Sequence, residues 1–176
     1  MRTTALALVF VVASGFASAR LLGQRPRVSP HETVNGTAGT ARLSVTYGRP
    51  YMKGRTIFGG LVPYGRVWCP GADEATVLDS DHALQIGDLK VPAGPHTIWI
   101  LPTADDWTLI VSKDESGFHT RYYPNRDLGR VPLQKRAIDA PVEQLTFDIR
   151  ETTPGHGTLA MIWANTEVTV PFTVMP

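Results

Sequence analysis

The sequence predicts an all-β fold: an antiparallel β-sandwich of two packed sheets with about nine or ten strands and little helix. Three observations point there. Sixteen glycines and fourteen prolines are spread along the 176 residues, leaving little room for long helices. Several runs alternate apolar and polar residues with period two, as half-buried strands do. Two further runs are apolar on both faces, which suits central strands covered on both sides.

In chain order, the first nineteen residues, "MRTTALALVFVVASGFASA", carry a positive charge at Arg2, an apolar stretch from Ala5 to Ala13 and the A-x-A pattern Ala17-Ser18-Ala19. That is the pattern of a secretory signal cleaved before Arg20. The apolar stretch is too short to span a bilayer, and no later run is long enough. The expectation is an exported protein, periplasmic or extracellular, with no membrane span. Residues 20–40, rich in Pro, Gly, Thr and Ser, read as an extended lead-in, and 41–176 as a single β-sandwich domain.

Within that domain "RLSVTY" sets Leu43, Val45 and Tyr47 on one face, "QLTFDIR" sets Leu145, Phe147 and Ile149, and "EVTVPFTV" sets Val168, Val170, Phe172 and Val174. Pro171 cannot donate to a ladder, so the last strand is expected at a sheet edge or with a bulge. "HTIWILP" and "DWTLIVS" are apolar on both faces and should pair across "PTADD". "HALQIGDLKV" reads as a hairpin through Gly87-Asp88, where glycine takes the positive φ of a tight turn. Asn165-Thr166 marks a further hairpin between "TLAMIW" and the last strand, and weaker strands are expected at 118–123 and 130–136. "ADEATVLDSDHALQI" fits a helix nearly as well as two strands; its β-branched residues and the Asp79-Ser80-Asp81 turn signal favour strands.

Charge excludes some partners. With Arg2 removed, sixteen basic residues face sixteen acidic ones, so the chain has no field to steer it to nucleic acid. The sole cysteine, Cys69, can form no internal disulfide, and stability must come from a core. No glycine-rich phosphate cradle, nucleophile elbow or metal-spaced His/Cys motif is present. The expectation is for no cofactor and no dedicated metal site. Oligomeric state is not encoded in any motif.

The chemistry concentrates between Thr33 and Ala72, a stretch without Asp or Glu that carries Arg42, Arg49, Lys53, Arg55 and Arg66. A tight turn around Pro50, Tyr51 and Gly54 would gather Arg49, Lys53 and Arg55, whose guanidinium forks suit carboxylate or phosphate. Trp68 would form a stacking wall. The bland reading is that the following acids, Asp73, Glu74, Asp79 and Asp81, neutralise these cations, and that "IFGGLVPYG" plugs the core with Ile57, Phe58 and Leu61. A second function class is a hydrolase using Glu74 with His96 or His119 as acid-base or metal-binding groups. A third is a cell-envelope interaction module docking through an apolar patch or an uncovered strand edge.

The series "VTYGRPYMKGRTIFGGLVPYGRVWCPGADEAT", "LKVPAGPHTIWILPTADDWTLIVSKD" and "LAMIWANTEVTVPF" resembles the bacterial family known as domain of unknown function 2911, over roughly Val28 to Val174. The resemblance implies an exported bacterial protein and brings no catalytic residue with it. On the matching block, Arg49, Lys53, Arg55, Trp68, Gly71, Glu74 and Thr76 are the positions of interest. Cys69 and His96 depart from the family pattern, which places a polar or basic residue and an aromatic there. The expected function is binding of a small polar or anionic ligand through the Arg49–Glu74 region, with Arg49, Tyr51, Lys53, Arg55, Trp68 and Glu74 as contacts.

Overall fold

The computed structural model describes residues 28–176; the expected signal segment and the start of the lead-in lie outside the described residues. The strands are β1 (His31–Ala38), β2 (Ala41–Gly48), β3 (Val77–Ser80), β4 (Leu84–Ile86), β5 (Leu89–Val91), β6 (Gly94–Pro102), β7 (Trp107–Ser112), β8 (Asp127–Thr153) and β9 (His156–Val174). Among the described residues one 3-10 turn, Pro124–Arg126, is present, and it precedes β8. Every strand pairing is antiparallel.

The all-β antiparallel expectation holds. Hydrogen bonding joins the strands in one nine-stranded sheet of order β1-β2-β3-β6-β7-β8-β9-β4-β5, in place of two separately paired sheets. The reason lies in β8. Its first part pairs with β7 from Asp127 to Leu133. Beyond a register break between Ala137 and Val142 it continues with β9 and packs against β1. The contact is close: a Cβ on Gly36 of β1 would sit 2.5 Å from Ile149 Cγ2 of β8, so only glycine fits there.

The period-two strands bury the residues they should. Leu43, Val45 and Tyr47 of β2, Leu145, Phe147 and Ile149 of β8, and Val168, Val170 and Phe172 of β9 share one core. β6 and β7 are covered on both faces. Ile98, Ile100, Leu109 and Val111 face that core, whereas Trp99 and Ile110 face a smaller cluster with Cys69 and Ala75. The irregular chain between β2 and β3 supplies this second cover.

Several local expectations change. The lead-in contributes β1, a full strand, whose inward positions Glu32, Val34, Gly36 and Ala38 carry too few large apolar groups to show alternation. No hairpin forms at Asn165-Thr166: β9 runs on, bent where Ala164 takes φ 50°, and the chain reverses instead at Pro154-Gly155. β9 is interior. Pro171 needs neither an edge nor a bulge because it falls between the β8 ladder, which ends at Thr169, and the β4 ladder, which begins at Phe172. Residues 118–123 form no strand beyond the single Phe118–Glu74 bridge. Residues 130–136 belong to β8, and the doubtful stretch after Ala72 makes β3 and β4.

Candidate functional site

After β2 the chain leaves the sheet at Pro50 and makes a tight turn, with Arg55 N–H donating to the Met52 carbonyl at 3.1 Å. Both central residues are left-handed, Lys53 at φ 49° and Gly54 at φ 70°. Glycine accepts that conformation freely, but lysine pays about 1 kcal/mol for it. Glu143 of β8 holds the turn: its carbonyl accepts from Met52 N–H at 2.8 Å and its carboxylate from Lys53 N–H at 2.9 Å. The Lys53 ammonium has no partner among the described residues and stands in solvent.

The "IFGGLVPYG" segment then divides. Ile57 and Val62 are buried in the core, and Phe58 sits edge-on to Trp107 with centroids 4.6 Å apart. Leu61, expected in the plug, is exposed and faces the cleft described next. From Gly65 to Trp68 the chain runs beside the free edge of β6 past β3. Trp68 and Ile100 exchange both backbone hydrogen bonds at 2.8 Å, and alternation along this piece sends Val67 and Cys69 to the second cluster and Trp68 to the main core. The Trp68 ring stacks on Trp163 of β9, centroids 6.0 Å apart and planes 15° apart.

These pieces enclose a cleft of about 340 Å³, within the usual range for small-molecule sites. Tyr51, Lys53 and Arg55 form one side, Trp68 and Trp163 the apolar wall, Gly71 and Ala72 a backbone wall, and Leu61 and His119 part of the mouth. The backbone wall lies tight against its neighbours: a Cβ on Gly48 would come within 2.0 Å of the Ala72 carbonyl oxygen. Among the described residues no Asp or Glu lines the cleft. Arg55 donates through Nε and Nη2 to the Met52 and Tyr51 carbonyls at 2.8 and 2.6 Å, which fixes its guanidinium and leaves Nη1 uncommitted. His119 lies beside an antiparallel contact between residues 73–75 and 117–119. Its Nδ1 donates to the Asp73 carbonyl at 2.6 Å, so the neutral ring carries its lone pair at Nε2.

Four of the six residues expected at the site therefore line one cleft, and Arg49 and Glu74 do not. The Arg49 guanidinium is consumed internally: Nη1 pairs with Glu32 of β1 at 2.9 Å, Nε donates to the Leu145 carbonyl at 2.9 Å, and Nη2 to Thr146 Oγ1 at 2.9 Å. Glu74 lies 3.4 Å from His31 Nδ1. Of the acids expected to neutralise the basic stretch, Asp81 does so with Arg42 at 3.2 Å. His96 is buried in β6 with its ring nitrogens on the Ser112 and Pro92 carbonyls at 2.9 and 3.2 Å, outside the cleft. Cys69 is buried, and burial pushes its thiol up to about 11; Sγ accepts from Thr76 N–H at 3.3 Å.

Trp163 and Leu61 line the cleft without any local mark in the sequence. Trp163 sits in an ordinary apolar strand run, on the same face as Leu159 and Met161, and meets the cleft because the fold brings Trp68 against it. No group of three or more His, Cys, Asp or Glu residues is placed to hold a metal ion among the described residues. Nor is any helix among them long and apolar enough to cross a membrane. The model of a protein family described as "Protein of unknown function (DUF2911)" matches residues 29–172. No curated protein and no solved structure gives a significant match.

Proposed function

We infer that this chain, which belongs to the DUF2911 family, binds a small anionic ligand with a flat or cyclic body in the cleft between the Lys53–Gly54 turn and the Trp68–Trp163 stack. One observation carries the reading: among the described residues the cleft is lined by two cations, a histidine and two indoles, and by no carboxylate. In a chain whose acidic and basic residues nearly balance, that is local segregation of charge. The uncommitted donors are the Lys53 ammonium and Arg55 Nη1, and an anion placed between them gains charge-assisted hydrogen bonds. A ring attached to it lies against Trp68, whose exposed edge continues an already stacked pair. Arg49 and Glu74 act one step back in this reading, as supports of the strands that carry the turn and the wall.

The strained turn supports it as well. Lysine stands at a position that glycine or asparagine would occupy without cost, and backbone strain of that kind clusters at functional sites. Export through residues 1–19 belongs to the same proposal, supported by the charge, apolar stretch and A-x-A pattern there. N-terminal sequencing of the mature chain from a bacterial host tests that part, with Arg20 the expected first residue.

Calorimetric titration with inorganic phosphate and phenyl phosphate tests the site. Phenyl phosphate should bind more tightly, Trp68→Ala should abolish that preference, and Lys53→Asn should weaken both ligands by about tenfold. Asparagine tolerates the left-handed conformation, so Lys53→Asn keeps the turn. Unchanged affinity in that variant would defeat the reading.

A further inference from the structure

We propose that a second cavity binds a saccharide unit carrying one carboxylate, a hexuronic acid residue. It adjoins the first cleft at the Phe118–His119 pair, whose rings lie 4.6 Å apart; Phe118 lines this cavity and His119 lines the cleft. Its volume is about 580 Å³, enough for a sugar ring and its ordered water.

The aromatic groups come first. Phe118 and Tyr123 line the cavity while 45% and 53% exposed. Each ring offers an apolar face at the border of the cavity, and the apolar face of a sugar ring stacks on such a face. The polar groups come next. Arg126 Nε is bonded to Asp114 Oδ1 at 2.7 Å, which makes a charge-neutral pair, yet Asp114 Oδ2 and the terminal nitrogens of Arg126 keep their hydrogen-bonding capacity. Asn125 adds an amide to the lining, and an amide both donates and accepts. Sugar hydroxyls also do both, so a lining of fixed donors beside fixed acceptors suits a polyol better than it suits a bare anion, which would face Asp114.

An independent observation lies deeper. Thr97 is only 2% exposed and lines this cavity, and its hydroxyl has no hydrogen-bond partner among the described residues. The one fully sealed side-chain atom without a hydrogen bond among them is Glu167 Oε2, so the Thr97 hydroxyl is open to the cavity and available to a ligand. Finally, Arg121 lines the cavity without an ion-pair partner among the described residues, leaving one positive charge in excess. A single carboxylate on the ring meets it with two-point geometry.

Calorimetric titration of the intact chain with glucuronate, glucose and acetate tests the proposal. Glucuronate should saturate, with glucose about tenfold weaker and acetate silent up to about 10 mM. Arg121→Gln should reduce glucuronate to the level of glucose, and Phe118→Ala should weaken both sugars by about tenfold. Both residues are exposed, so both variants fold. Lys53→Asn, in the other cleft, should change nothing. The proposal is overturned if neither sugar saturates by about 10 mM, if acetate competes as well as glucuronate, if glucose binds as tightly as glucuronate, or if Lys53→Asn abolishes binding where Phe118→Ala does not.

Discussion

His119 donates its Nδ1 proton to the backbone carbonyl of Asp73 at 2.6 Å, and the same two residues are joined by a backbone bond from His119 N–H to that oxygen at 3.1 Å. A carbonyl can only accept, so the ring's tautomer is settled and its lone pair sits at Nε2. One nitrogen therefore holds the loop, and the other presents only an acceptor to the cleft. An anion has no proton to give that lone pair, so we predict that His119→Asn, whose amide nitrogen replaces Nδ1, keeps Tm and leaves phenyl phosphate affinity within about twofold. His119→Gln, whose amide nitrogen replaces Nε2 and gives up the bond to Asp73, should lose about 1 kcal/mol of stability. Equal Tm of the two variants in melting experiments would refute the loop-holding role of Nδ1.

Arg49 should be a stability residue. Its three hydrogen bonds tie β1, through Glu32, to the far half of β8, through Leu145 and Thr146. Glu32 is partly solvated, so screening reduces the ion-pair component, and the clamp as a whole is expected to contribute about 2 kcal/mol. We predict that Arg49→Met lowers Tm by roughly 5 °C while phosphate affinity stays within about twofold. A tenfold loss of affinity at unchanged Tm would return Arg49 to the anion site.

That contrast shows what was legible in the sequence. Alternation is a local signal, so Leu43-Val45-Tyr47 and Val168-Val170-Phe172 could be placed on the core face from their own neighbours. β1 could not, because its inner face includes Gly36, chosen for its close approach to Ile149 and carrying no apolar mark. The cation cluster was visible as composition, but which cation was free was not. Arg49 finds Glu32 upstream and Thr146 a hundred residues downstream, pairings that only the fold creates. Trp163 joined the cleft for the same reason: it shares the inner face of β9 with Leu159 and Met161, and only the fold brings Trp68 against it.

Cys69 should behave as an inert thiol with a pH signature. Burial raises it from 9.0 to about 11. In that window the unfolded thiol ionises while the folded one stays protonated, so its contribution is complete below pH 9 and is lost as pH rises towards 11. Two units correspond to at most about 2–3 kcal/mol. We predict that urea-derived stability falls between pH 8 and 11, and that Cys69→Ser, which keeps an acceptor for Thr76 N–H and does not ionise, loses less over that range. A disulfide-exchange reagent should label Cys69 only after unfolding; rapid labelling of the native chain would contradict the buried placement.

The last prediction concerns Glu167, which is 1% exposed in β9. Its Oε1 accepts from Arg150 Nη1 at 3.1 Å, and its Oε2 faces Arg136 Nη2 as an ion pair whose alignment is not that of a hydrogen bond. Arg136 lies before the register break in β8 and Arg150 after it, so a single carboxylate pins both halves of the bent strand. The pair is asymmetric in solvation: both arginines reach water, and the carboxylate does not. Removing the arginines strands a buried charge, at a cost of about 3–5 kcal/mol. Removing the glutamate leaves two cations that water can solvate, and an apolar replacement fills the same volume at about 1 kcal/mol. We therefore predict that Arg136→Met with Arg150→Met destabilises the fold far more than Glu167→Met in urea unfolding. Hydrogen exchange at residues 138–141 should rise in both variants, because the bend loses its pin either way. If Glu167→Met proved the costlier change, the carboxylate would be acting through direct attraction and not through the penalty of its own burial.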